Sequence, residues 1–279
     1  MIKTRVLLIP VILLLFAASV WAEVMPQLVT DPRQAFVTGS IVVKGEAAAD
    51  RNLPSGQRRL MALRGAKVVA FREIAEIIDG VAVSGETTVV NMAAESDTVR
   101  STVQGLIKGA QIVKEGYDPL GETAYVYLSV PLTGPNGLIG QLLPQVMPIV
   151  PPPGLPMFQP PAQTVPARHD GLIIDVRAQP FKPALMNRIV TKKGEVIYDP
   201  AWVAQDILVD RGAAEYTNDI GKAKALLGER GSTNPLVVKA GGVVRSTDVE
   251  IPSEDASAVF SSNQANNFLE SAKVVFVLR

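Results

Sequence analysis

Apolar residues recur at three- and four-residue steps between Arg58 and Gly80, and the rest of the chain is organised around this stretch. Leu60, Leu63, Ala66, Ala70, Ile74, Ile77 and Ile78 fall on one side of a helix. Arg58, Arg59, Arg64, Arg72, Glu73 and Glu76 fall mainly on the other, with Arg72 and Glu76 at pairing distance in sequence. The pattern predicts a helix over 58–80, roughly 33 Å long at about 1.5 Å per residue, enough to cross a sheet. Gly80 is its natural stop. Gly65 costs roughly 1 kcal/mol against alanine in mid-helix, and close contact with a strand would account for it. Core packing is the expected role of the stripe, rather than a groove for a partner.

Strand patterns surround this helix. Residues 35–45 (AFVTGSIVVKG) read as a strand with Val37, Ile41 and Val43 on one face. Residues 50–57 are a polar loop with Pro54 and Gly56. VAVSGETTVV, residues 81–90, predicts a strand broken or bulged at Gly85. Ser96 can cap a second helix through Lys108, with Val99, Val103, Leu106 and Ile107 on its apolar face. Residues 110–117 and 123–130 alternate as strands, and Asp118-Pro119-Leu120-Gly121 predicts an antiparallel hairpin between them. The order β-α-β-α-β-β implies an antiparallel sheet with two helices on one side.

Residues 144–166 hold nine of the 21 prolines. Such a segment is expected to form neither helix nor inner strand, but a stiff polyproline II spacer between domains. Its Met147, Ile149, Val150, Leu155, Met157 and Phe158 are apolar for a linker, so contact with a domain surface or with a partner groove is anticipated.

A second α/β pattern follows. Residues 171–177 read as a buried strand, and 187–190 and 195–198 as strands flanking a turn at Lys192-Lys193-Gly194. AWVAQDI around Trp202 suggests a short helix. Thr217 or Asn218 can cap a helix over 219–227 that Gly228 ends. Residues 236–239 and 243–251 read as strands around Gly241-Gly242. Ser253 to Leu269 reads as a helix with acidic residues in its first turn, and Ala256, Val259, Phe260 and Phe268 supply packing groups. The continuously apolar run 273–278 predicts a central final strand. The fold class expected is α+β: an antiparallel first domain over 23–143, a Pro-rich linker over 144–166, and a second α/β sandwich over 167–279.

Composition narrows the chemistry. The chain carries 27 basic and 27 acidic residues, so no electrostatic grip on nucleic acid is indicated. Cysteine is absent, which excludes disulfides, thiolate metal sites, a cysteine nucleophile and a lipid on an N-terminal cysteine. His169 is the one histidine, so a multi-histidine metal site cannot be built. Lys3 and Arg5 precede an apolar run, Val6 to Val20, and Val20-Trp21-Ala22 resembles a signal-peptidase site. Residues 1–22 are therefore expected to be a cleaved secretory leader, the apolar run being shorter than the roughly 20 residues of a membrane span. Loss of Lys3 and Arg5 leaves a charge of about −2. Export without cysteine suits a periplasm.

No catalytic, cofactor or metal site is predicted. His169 and Asp170 stand near Asp175 and Arg177, but no G-x-S-x-G accompanies them, and His169 is expected at an exposed linker edge. Glu73 and Glu76 read as a solvated helix face. Gly241, Gly242 and Gly39 do not form a phosphate loop, Asp199 and Asp206 lack calcium-loop spacing, and Lys192-Lys193 is a turn.

Several ordered segments carry a family resemblance: Ala66 to Val83, Thr87-Thr88-Val89, Glu95-Ser96-Asp97, Gly109-Ala110 and Tyr125 to Val130. Over residues 35–131 the chain resembles the Lpp-twenty (20-kDa membrane-associated lipoprotein) family. That family is similar to N-terminal domains of flagellar assembly proteins and to a flagellar outer-membrane disk protein. The resemblance implies a non-enzymatic role at the cell envelope, with flagellar work as one branch. The missing lipobox cysteine argues against direct lipid anchoring.

The expectation is therefore a secreted, non-catalytic protein of the periplasm, associated with the outer membrane, that works by contact with envelope proteins or with copies of itself. A carboxylate-dependent periplasmic hydrolase and a small-ligand-binding protein are the alternatives.

Overall fold

The computed structural model describes residues 25–147, 156–160 and 168–279. The expected leader, residues 1–22, and linker residues 148–155 and 161–167 lie outside the described residues.

The fold is α+β. Its first sheet has three antiparallel strands in the order β1 (Ser40–Ala48), β5 (Thr123–Pro131), β4 (Gln111–Asp118). β1 pairs with β5 from Ser40 opposite Pro131 to Ala48 opposite Thr123. The long helix α2 (Ser55–Asp79) lies across β1 and β5. Its buried line is Ala62, Ala66, Ala70 and Ile74, with Ile77 and Ile78 at the end. Small side chains at four-residue steps let helix and strand approach closely. A Cβ on Gly45 of β1 would collide with the backbone of Ala66, and one on Gly65 would stand 2.9 Å from the Ala47 Cβ.

Several local readings change. Residues 35–38 are helical, not extended. α1 (Pro32–Thr38) starts where Asp31 accepts from the Gln34 amide at 3.0 Å, has Pro32 in its first turn, and stops at Gly39, whose φ is +72°. Val37 thus sits on a helix, apart from the buried Ile41 and Val43. Val89 and Val90 leave the strand as well. β2 (Ala82–Ser84) and β3 (Thr87–Thr88) turn at Gly85 with φ +60°, and α3 (Val89–Glu95) begins where the Asn91 side chain accepts from the Thr88 amide. Ser96 caps α4 (Asp97–Lys108) as expected, accepting from the Val99 amide at 3.3 Å.

The proline-rich stretch also begins differently. α5 (Leu138–Val146) contains Pro144 and forgoes one intrahelical bond there. The apolar face of α5, with Leu138, Leu142, Leu143 and Val146, is buried and holds it in place.

The C-terminal part has two four-stranded sheets. The first is parallel in every pairing, in the order β10 (Leu236–Lys239), β6 (Leu172–Asp175), β13 (Val274–Val277), β9 (Glu215–Thr217). The apolar final strand is central, as its composition predicts. One face, with Ile173, Val275 and Val277, packs under Ala223 and Leu227 of α7 (Ile220–Glu229). The other, with Ile174, Val274 and Phe276, enters the main core. Asp219 caps α7, accepting from the Lys222 amide at 2.8 Å, in place of Thr217 or Asn218.

The second sheet runs β11 (Gly242–Val244), β12 (Asp248–Ile251), β7 (Ile189–Thr191), β8 (Val196–Tyr198). Residues 243–251 are two strands, not one, because Arg245 and Ser246 turn through φ +49° and +67°. A 3-10 turn (Pro200–Trp202) and α6 (Gln205–Arg211) follow β8, and α8 (Ser253–Asn266) ends at Asn267.

One hydrophobic core runs through residues on both sides of the linker. Phe36 meets the Tyr216 ring edge-on, with centroids 5.0 Å apart. The amides of Leu185 and Met186 donate to the carbonyls of Ala82 and Val83 at 3.0 and 2.9 Å, and Gly85 N–H donates to Thr247 Oγ1 at 2.7 Å.

Candidate functional site

The side chains with the most obvious chemistry are held in local structural roles. Asp170 accepts from Ser232 Oγ, Thr233 N and Asn234 N at 2.7, 2.7 and 2.8 Å, and from Thr233 Oγ1 at 2.8 Å. Burial works against its charge, but these bonds outweigh it and hold the carboxyl well below the usual carboxylate range. Its neighbour His169 is half-buried, with Nδ1 3.2 Å from the Asn234 carbonyl oxygen. Asp175 pairs with Arg177 at 2.7 Å, and that bond lowers its pKa. Asp199 is buried against Arg188, Nε to Oδ2 2.9 Å, while Asp206 is exposed in the first turn of α6. Glu73 and Glu76 are exposed. Gly242 backs onto the Glu250 side chain, Gly39 ends α1, and Lys192-Lys193 lies in the β7–β8 turn with Gly194 at φ +80°. Among the described residues, no three metal-ligating side chains gather at one place.

Two other features stand apart from these. The first is the outer face of α2. At about 100° per residue, Leu60, Met61, Arg64, Val68, Phe71 and Arg72 fall within an arc of roughly 120°, on the flank opposite Ala62, Ala66 and Ala70. Leu60, Met61 and Val68 are 60%, 49% and 49% exposed. Leu60 therefore does not belong to the core face, as its spacing suggests. The ammonium of Lys67 lies 5.5 Å from the centre of the Phe71 ring, so cations and apolar groups alternate along this face. Near the start of α2, Glu122 binds Arg51 at 2.7 Å and Arg58 at 3.0 Å. This ties the β4–β5 turn to the helix, and the turn carries Leu120, 97% exposed.

The second is a cleft of about 430 Å³ between α1, α5, α6 and the β9–α7 unit. Phe36, Ile139, Leu185 and Tyr216 give it apolar walls. At its floor the Arg230 guanidinium, 5% exposed, pairs with Glu215 Oε1 at 2.6 Å and also donates to the Ala272 carbonyl. Glu215 Oε2 is buried without a hydrogen-bond partner. Asp210 and Glu229 add two more carboxylates to the wall. Little in the residue pattern signals this grouping, since β9 is three residues long and its neighbours come from four separate elements.

Residues 171–279 match a family model described as Treponema pallidum Tp0624, second domain. The matched segment contains both four-stranded sheets. No curated protein matches the chain. No helix among the described residues is long and apolar enough to cross a membrane.

Proposed function

We propose that this is a non-catalytic protein of the cell envelope, exported to the periplasm, that works by binding other envelope proteins or further copies of itself. The carrying observation is the outer face of α2. Leu60, Met61 and Val68 stand in water on a helix whose opposite face is already buried. Covering each returns roughly 1–2 kcal/mol, and the intervening Arg64 and Arg72 select a partner with acidic groups among apolar ones. The likeness of residues 35–131 to the Lpp-twenty family and the N-terminal leader pattern support the envelope setting, and an outer-membrane or flagellar assembly is the setting we favour. The double variant Leu60→Asp/Val68→Asp tests this. Both side chains are exposed, so the circular dichroism spectrum stays unchanged, while the native mass of the protein in an envelope extract falls to that of the monomer. An unchanged native mass would refute the assignment.

A second reading, binding of a small ligand, is favoured by the orphan Glu215 Oε2 in the cleft. A ligand with an apolar body would fill the cleft, and a hydrogen-bond donor on it would satisfy that oxygen once the Glu215 side chain turns toward the cleft. Thermal-shift screening with primary amines, repeated on Glu215→Gln, distinguishes this reading from the first. Hydrolase chemistry has less support, since Asp170 is held by its loop and Asp175 and Asp199 by ion pairs, while Asp206, Glu73 and Glu76 lie on exposed helix faces.

A further inference from the structure

We propose that the groove between Trp202 and the last turn of α8 binds a saccharide. The groove has a volume of about 350 Å³. Residues 156–158 form one wall by running alongside β8: Val196 N–H donates to the Pro156 carbonyl at 2.8 Å and Phe158 N–H to the Val196 carbonyl at 3.1 Å. Phe158 is buried and meets Phe260 edge-on at 6.1 Å. With Ile197 and Leu269 it makes an apolar floor.

Trp202 stands at the rim, 37% exposed. Its mounting is rigid. The Trp202 amide donates to the Asp199 carbonyl at 3.0 Å, the Asp199 carboxylate accepts from the Ala201 amide at 2.9 Å, and Arg188 clamps the same carboxylate from within the core. A large, fixed, half-exposed indole offers a flat surface on which the C–H face of a sugar ring can stack.

Polar groups opposite it complete the site. The Gln264 and Asn267 side chains are exposed, and their amides have no protein partner among the described residues. Each can donate and accept, as paired hydroxyls require. Glu270 is oriented by Asn263 Nδ2, at 3.1 and 3.0 Å from its two oxygens, and keeps lone pairs for a further donor. Among the described residues no cation lines the groove to draw in a phosphate or another anion. A purely apolar peptide would cover two amides without pairing them, at a cost. An acetamido sugar uses every part: its methyl group enters the floor, its amide pairs with Gln264 or Asn267, and its ring lies on Trp202.

The test uses the chain from Glu23 onward, in which Trp202 is the lone tryptophan. Tri-N-acetylchitotriose and cellotriose are titrated against its fluorescence, with calorimetry in parallel. The expected result is a saturable change in emission with the acetamido trisaccharide. Gln264→Ala weakens binding about fivefold, and Trp202→Ala at least about tenfold by calorimetry, with circular dichroism unchanged in both. Absence of saturable binding by either sugar up to about 10 mM would overturn the proposal. So would affinity unaffected by both substitutions, or saturable binding of a proline-rich peptide instead.

Discussion

Gly45 of β1 lies directly against the backbone of Ala66 in α2, so that a methyl group at residue 45 would occupy the space of the Ala66 carbonyl oxygen and stand 2.9 Å from the Ala70 Cβ. Backbone cannot step aside as a flexible side chain can. Gly45→Ala is therefore expected to cost at least about 3 kcal/mol. Gly65, the residue just before Ala66 on the helix, meets only the Ala47 methyl. There alanine gains roughly 1 kcal/mol of helix propensity and loses more to the contact, a net loss of about 1 kcal/mol. Urea denaturation checks both. Combining Gly65→Ala with Ala47→Gly should give a favourable coupling energy in a double-mutant cycle.

The Arg188–Asp199 pair is 3% and 4% exposed. Removing one partner strands a charge in the core, so Asp199→Ala is expected to cost about 3–5 kcal/mol. Replacing both with apolar residues of similar volume should recover most of that. A double variant as unstable as the single one would argue against a desolvated pair.

Two carboxylates set opposite pH trends. Burial raises the pKa of Asp248 above its ordinary 3.8, and hydrogen bonding from the Arg188 amide only partly offsets it. Its contribution to stability is full below the unfolded pKa and is lost as pH rises through the folded value. Asp248→Asn should therefore gain stability relative to the parent as pH rises above about 4. Asp170 is shifted down, so its contribution is present above about pH 4 and lost on acidification. Asp170→Asn should flatten the acid limb of the stability curve. Chemical denaturation at a series of pH values checks both signs.

Because one core includes Phe36, Tyr216 and Phe276, the chain should unfold in a single transition. Residues 168–279 expressed alone would expose the face of Tyr216 that Phe36 covers and should bind a hydrophobic dye. Two resolved transitions in the whole chain would contradict this.

Much of the fold is legible in the sequence because the signals are periodic or local. The i, i+4 run of α2, the Ser96 cap, the alternation of β5, the turn at Lys192-Lys193-Gly194 and the apolar β13 all appear where spacing places them. Errors arise where two signals compete. Val37 and Val89 have strand propensity, but Asp31 with Pro32, and Thr88 with Asn91, open helices just ahead of them. Pro144 reads as a helix breaker, yet the buried face of α5 overrides it. Leu60 follows the helical spacing of the core, but the strict four-residue line through Ala62 takes the sheet. The cleft around Glu215 and the groove at Trp202 were hidden for another reason: their walls come from segments far apart in the chain.

The central claim is that the outer face of α2 is covered by another protein in the cell. A photo-crosslinking amino acid in place of Met61, activated in living cells, tests it most directly. One discrete adduct is expected, with a second copy or a single envelope protein, and it disappears when Val68→Asp is added. A folded, exported protein that yields no adduct from position 61 would contradict it.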